Sequence, residues 1–156
     1  MNLIVDIGNT FIKVAQFEQG NCKNIERFKD QRLFSEYFSS LSFNNAIISS
    51  VREKIFTKKL GNQFNQALVL NRTTALPISN LYHTPETLGN DRLANAVGAF
   101  SAFPNQNTLT IDVGTCIKFD FINANNQYLG GSISPGLKMR FNALHTLTDN
   151  LPLIDD

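Results

Sequence analysis

Apolar and polar residues alternate along the start of the chain in the rhythm of a hairpin. Residues 2–8 and 11–18 predict two strands joined at Asn9-Thr10, with Ile12, Val14 and Phe17 mostly alternating with Lys13 and Gln16. Residues 24–28 predict a third strand. Leu33, Phe34, Tyr37, Phe38 and Leu41 fall at helical spacing and predict an amphipathic helix. Ala46-Ile47-Ile48, wholly apolar and closed by Ser49-Ser50, suits a buried parallel strand. A helix over about 52–64 and a strand over 67–70 follow. Residues 73–89, with Pro77 and Pro85, read as a loop. Residues 91–103 predict a helix with Leu93, Ala96, Val97 and Phe100 on one face.

After Pro104-Asn105-Gln106-Asn107 the pattern starts again. "LTIDVGTCIKFDFINANNQ", from Leu109, repeats the plan of "LIVDIGNTFIKVAQFEQG", from Leu3. Residues 129–133 predict a further strand, and a last helix follows Pro135-Gly136. The chain therefore reads as a duplicated α/β unit: three antiparallel strands, then a helix and a parallel strand. The expected division is 1–105 for the first copy and 106–156 for a second, truncated copy. A three-stranded meander with one helix buries little by itself. The chain is therefore expected to be a fragment of a longer protein or to lean on a partner at its open edge.

Composition narrows the field of functions. Hydrophobic residues make up 42% and charged residues 17%, which fits a globular chain rather than a disordered one. The net charge of +1 gives no broad field for nucleic acid or an anionic membrane, so neither is expected as a partner. Cys22 and Cys116 have neither CxxC spacing nor a companion His cluster, so a reduced chain without a disulfide is expected. Asp6 interrupts the leading apolar run before it reaches the length of a secretion signal. No segment is apolar for the roughly 18 residues of a membrane span. The expected location is the cytoplasm.

The chemistry of the two hairpins is more specific. A turn of Gly8, Asn9 and Thr10 gathers backbone N–H groups at one tip, where they can cradle a phosphate. Glycine admits close approach, Thr10 adds a hydroxyl donor and Lys13 adds positive charge. Asp6 would repel a phosphate unless a Mg²⁺ lies between them. One such motif alone reads sooner as an ordinary turn with Asp6 making an Asx bond. Its recurrence at Asp112-Val113-Gly114-Thr115 favours a pair of phosphate-facing hairpins that clamp a nucleoside polyphosphate.

A duplicated hairpin of this kind resembles the actin-like and sugar-kinase superfamily, whose domains are ribonuclease H-like. The resemblance narrows with four stretches in register. Asp6 to Lys13 resembles the N-terminal motif of type III pantothenate kinases. "YHTPETLGNDRLANAVGAF", from Tyr82, resembles their substrate segment. "DVGTCIKFD" and "LGGSISPGLKMRFNALHTLTDNLP" resemble the second phosphate motif and the stretch after it.

The resemblance implies transfer of the ATP γ-phosphate to the hydroxyl of pantothenate, giving 4'-phosphopantothenate, the first step of coenzyme A biosynthesis. It implies ATP binding by Asp6, Ile7, Gly8, Asn9, Thr10, Phe11, Ile12, Lys13 and Thr115, with Asp6 near Mg²⁺. It implies pantothenate binding by Tyr82, Gly89, Asn90, Asp91 and Arg92, with Asp91 as general base and Arg92 holding the substrate by charge-assisted bonds. Asp112 would coordinate a monovalent cation, K⁺ or NH₄⁺, and family members act as homodimers. It also implies further strands and helices after the matched stretch, so weak or no activity is expected of 156 residues alone.

Residue chemistry agrees with these roles and leaves alternatives. Asp91 at a helix start beside Arg92 is favoured in its ionised form. It is equally suited to capping that helix. Arg92 alone reads as a solvated first-turn residue, Tyr82 as a packing residue, and His83 and His145 as non-catalytic. Cys116 is expected to be buried in its strand, and Lys138 and Arg140 to lie at the surface. Phe11, Cys116 and Lys118 depart from the family pattern, and Lys118 is expected to point outward. The rival functions are a transcriptional regulator on the same scaffold, a phosphatase of the same superfamily, and an interaction module using the sheet edge.

Overall fold

The computed structural model describes residues 1–52 and 67–154. Strand β1 (Asn2–Ile7) places Leu3, Val5 and Ile7 on one face, none more than 1% exposed, because successive strand side chains point to opposite sides. β1 pairs antiparallel with β2 (Ile12–Glu18), which pairs antiparallel with β3 (Asn21–Phe28). The third strand starts earlier than 24–28, because the chain reverses at once through Gln19-Gly20.

Helix α1 (Gln31–Ser40) opens on Asp30, whose carboxylate accepts the N–H groups of Arg32 at 2.7 Å and Leu33 at 3.0 Å. Phe34 and Phe38, one turn apart, are fully buried against Leu3, Val5, Ile7, Ile12 and Val14. Leu33, predicted on the same face, turns outward instead. β4 (Asn45–Ser50) runs parallel to β1, and β5 (Ala67–Val69) runs parallel to β4. The sheet order is β3-β2-β1-β4-β5. Apart from Arg52, the helix expected over 52–64 lies outside the described residues.

A second sheet has the order β6-β9-β8-β7. It comprises β6 (Ser79–Asn80), β7 (Thr108–Val113), β8 (Cys116–Ile122) and β9 (Gln127–Pro135). β7, β8 and β9 form the expected antiparallel meander, and β6 adds parallel to β9. The expected loop 73–89 therefore holds a short strand, and also a 3-10 turn at Pro85–Thr87. Helix α2 (Asn90–Ala102) packs Leu93, Ala96 and Ala99 with Ile78, Leu88, Ile122 and Tyr128. Helix α3 (Leu137–Thr146) follows β9.

The chain divides into two compact units, Met1–Thr74 with Gly89–Asp91, and Ala75–Leu88 with Arg92–Asp156. Each carries one sheet. The strand repeat is plain in both, but burial is not. Leu109, Ile111 and Val113 stand in β7 where Leu3, Val5 and Ile7 stand in β1, yet they are 54%, 59% and 71% exposed.

Candidate active site

In the first unit, three segments reach one edge of the sheet. β1, β4 and β5 are parallel, so their carboxyl ends share that edge. The β1–β2 turn leaves the end of β1. It is closed by the Gly8 N–H donating to the Phe11 carbonyl at 3.0 Å. Arg52, just beyond β4, clamps the turn from behind: its Nε donates to the Gly8 carbonyl at 2.6 Å and its Nη2 to the Asn9 carbonyl at 2.9 Å. Beyond β5, the Asn90 side chain donates to the Leu70 carbonyl at 3.0 Å, which fixes Gly89-Asn90-Asp91 at the same edge. Two strand spacings separate β1 from β5, roughly 10 Å. The crevice beyond the carboxyl ends of parallel strands is where open α/β sheets bind ligands.

The side chains of that edge fall into distinct groups. Asp6 and Lys13 are directly opposed across β1 and β2 and form an ion pair of 3.6 Å, with side chains 39% and 49% exposed. Ile7 and Ile12 are wholly buried, so any part they take in binding is through the backbone. Phe11 lies under the Lys29 ammonium, 5.4 Å from the ring centre. Asp91 is half-buried within the first turn of α2 and does not cap it from outside. A side chain at Gly89 would overlap the Asp91 carboxylate, so glycine there makes room for it. Two concave surfaces of this unit, among the described residues, lie at the other end of β1, beside Asn2 and Phe17.

In the second unit the geometry around Arg92 is unlike a solvated first-turn residue. Arg92 is 6% exposed and faces the sheet. Its Nε donates to Asp120 Oδ1 at 2.8 Å, and its Nη2 lies 2.6 Å from the same oxygen. The Tyr128 hydroxyl donates to that oxygen as well, at 2.6 Å. The Tyr82 ring lies over the guanidinium at 5.4 Å and beside Tyr128 at 6.1 Å. Tyr82 fits there because position 130 is a glycine at φ +97°, where an added Cβ would strike its ring. Burial works against the Arg92 charge, but the Asp120 hydrogen bond and the charges of Tyr128 and Asp120 outweigh it, and its pKa is raised. Burial, then the Asp120 bond and charge, push the Tyr128 phenol well above its ordinary value.

The second hairpin repeats the first with tighter contacts. Asp112 and Lys118 are directly opposed across β7 and β8, and their ion pair measures 2.7 Å. Lys118 is only 14% exposed, so the expectation that it points outward is corrected: its carboxylate partner draws it in. Cys116 is half-buried rather than buried. The Gly114 N–H donates to the Cys116 carbonyl at 3.0 Å. Gly136 then donates to the Thr115 carbonyl at 2.9 Å, and any Cβ at 136 would overlap the Gly114 carbonyl. Both hairpin glycines therefore commit their own N–H groups inside the turn, so the glycine amides are not among those left for a phosphate. Thr115 is exposed at the tip. Arg140 is exposed, and donates to the Pro135 carbonyl at 2.8 Å.

Sequence reasoning missed Arg52, Asp120 and Tyr128. Asp120 carried a signal: it shares the strand face of Ile122, not that of Phe119 and Phe121. Arg52 carried none, because it acts on backbone carbonyls.

These features define a class first: an α/β protein whose antiparallel hairpins end in Asp-x-Gly turns. A solved structure described as a conserved putative Baf family transcriptional activator from Campylobacter jejuni shares the fold. Its TM-score is 0.57 at 19% identity, covering 93% of this chain and 59% of that one. The particular family follows from sequence. The family model for type III pantothenate kinase matches residues 2–156, and the chain belongs to that family. Among similar proteins, the type III pantothenate kinase of Bacteroides fragilis is 42% identical over 99% of this chain and 65% of its own length. That of Christiangramia forsetii gives the same figures, and that of Cytophaga hutchinsonii is 40% identical over the same shares. The chain thus spans about 65% of the length of these curated relatives.

Proposed function

We propose that the protein to which this chain belongs is an ATP-dependent pantothenate kinase that forms 4'-phosphopantothenate, the first step of coenzyme A synthesis. The observation that carries the reading is the shared edge in the first unit. There the Arg52-clamped turn, the Asp6–Lys13 pair and the Gly89-Asn90-Asp91 segment meet the carboxyl ends of β1, β4 and β5. In this reading 1–105 and 106–156 are two copies of one ribonuclease H-like domain, the second sheet taking its short strand β6 from the first stretch. The order β3-β2-β1-β4-β5 and the meander β7-β8-β9 support the duplication.

The residues have distinct tasks. Amides of the turn over Asn9, Thr10 and Phe11 bind phosphate, and Lys13 offsets its charge. Asp6 is half-exposed and only loosely paired, which suits a Mg²⁺ held through one carboxylate together with substrate phosphates. Such an ion would screen the repulsion between Asp6 and the triphosphate. Thr115, at the tip of the second turn, contacts phosphate. Asp91 takes the proton of the pantothenate hydroxyl as the γ-phosphoryl group moves to that oxygen, a task suited to a weak base in a loose transition state. Tyr82 lines the pantothenate site, and the buried Arg92–Asp120 pair beneath its ring positions that tyrosine instead of bonding to the substrate directly. A homodimer belongs to the same reading.

The test is turnover of ATP with pantothenate by the purified protein beside an Asp91→Asn variant. The variant should keep its fold and lose about 10²–10⁴-fold in kcat. ATP hydrolysis that ignores pantothenate and survives the substitution would overturn the reading. The transcriptional role in the Campylobacter title belongs to that protein; at 19% identity only the fold carries over.

A further inference from the structure

The two hairpins carry the same cross-strand pair, but the second holds it differently. Asp6 faces Lys13 and Asp112 faces Lys118 in directly opposed register. In the first hairpin the groups stand 3.6 Å apart and both are well exposed. In the second, Nζ of Lys118 lies 2.7 Å from Oδ2 of Asp112, and the lysine side chain is 14% exposed. The family resemblance implies that Asp112 holds a free K⁺ or NH₄⁺. The donor set does not fit that ion. The Asp112 carboxylate already has a monocation at the distance of a charge-assisted hydrogen bond. An alkylammonium head is also chemically the same donor as NH₄⁺: compact, singly charged and rich in N–H groups. A second monocation at Asp112 would meet the repulsion of Lys118 at short range, in a region partly shielded from water.

We infer that Lys118 is a tethered substitute for the monovalent cation, so that the charge at the second hairpin is built into the chain and no free K⁺ or NH₄⁺ is taken up at Asp112. The neighbouring features favour a fixed position for that charge. Lys118 sits inside β8, flanked on both sides by hydrogen-bonded strands. The turn ahead of it is pinned by the Gly136 N–H on the Thr115 carbonyl. A tethered cation forfeits little freedom when nucleotide binds, whereas a free ion must be captured from solution.

The inference rests on the kinase reading only for its catalytic arm, so the test has two. The first uses thallium(I), a K⁺ surrogate, and its NMR line width. Wild-type protein should give no saturable broadening beyond that of Asp112→Asn. Lys118→Thr should gain saturable broadening, and Asp112→Asn in that background should remove it. Saturable broadening in the wild type that depends on Asp112 would overturn the inference, as would a Lys118→Thr variant that gains none. The second arm compares pantothenate-dependent turnover in KCl and in tetramethylammonium chloride at equal ionic strength. Wild-type rates should agree within about twofold, while Lys118→Thr should be roughly tenfold or more slower without K⁺. A wild-type rate that collapses without K⁺ would refute the tethered cation. Absence of any pantothenate turnover would instead sink the kinase reading, and the thallium arm would still decide this one.

Discussion

Removing the carboxylate of Asp120 while keeping Arg92 should destabilise the second unit severely. The two side chains are 1% and 7% exposed, and one oxygen, Oδ1, receives Nε at 2.8 Å, Nη2 at 2.6 Å and the Tyr128 hydroxyl at 2.6 Å. Asp120→Leu takes the Asp120 counter-charge from a buried guanidinium, and breaking such a pair from one side costs about 3–5 kcal/mol. The stranded Tyr128 hydroxyl adds about 1–3 kcal/mol. Domain stabilities run to about 5–15 kcal/mol, so the variant should be near the edge of folding. Arg92→Met alone should also be costly, because it strands Asp120. The double variant Arg92→Met/Asp120→Leu replaces the pair with apolar groups, which removes the unpaired charge and leaves the stranded Tyr128 hydroxyl, a cost of about 1–3 kcal/mol. Urea unfolding followed by circular dichroism on all four proteins gives the cycle, and the expected coupling is at least about 2 kcal/mol. Single costs that simply add, within about 0.5 kcal/mol, would show that the two groups do not act as a buried pair.

Three further outcomes follow from single contacts. Asp30→Ala removes the acceptor for the Arg32 and Leu33 amides and should cost about 1 kcal/mol, read as a lowered urea midpoint. Gly136→Ala pushes a methyl group into the Gly114 and Thr115 carbonyls and should cost about 1–3 kcal/mol, with perturbed amide shifts at the β7–β8 turn. Tyr128 holds its proton more tightly folded than unfolded, so its contribution is whole below the unfolded value of about 10 and is lost as pH climbs beyond it. Wild type minus Tyr128→Phe phenolate absorbance should therefore rise only where the chain unfolds; a rise at about pH 10 in folded protein would contradict the buried bond.

Local pattern was legible where one element decides the outcome. The alternation of Ile12 and Val14 about Lys13 and the i, i+4 spacing of Phe34 and Phe38 announced a strand and a helix, and each buries the expected face. Both Asp-x-Gly turns were readable because the repeat marks them. What stayed hidden depended on partners distant in sequence. β6 is two residues long and held by backbone pairing to β9, so it leaves no periodicity to read. Arg92 looked like a solvated residue because its partner lies in another strand. Lys118 looked outward because alternation sets a direction but not the company found there. The Asp91 and Asp6 assignments came from family resemblance, since one carboxylate at a helix start or strand end fits several roles.

The completeness of the first sheet has a consequence for synthesis. All five of its strands lie within the first 69 residues, so its pairing can finish on the ribosome while later residues are still being added. The second meander emerges afterwards with Leu109, Ile111 and Val113 in water. In the nascent protein, that apolar face is exposed while the first sheet is already paired.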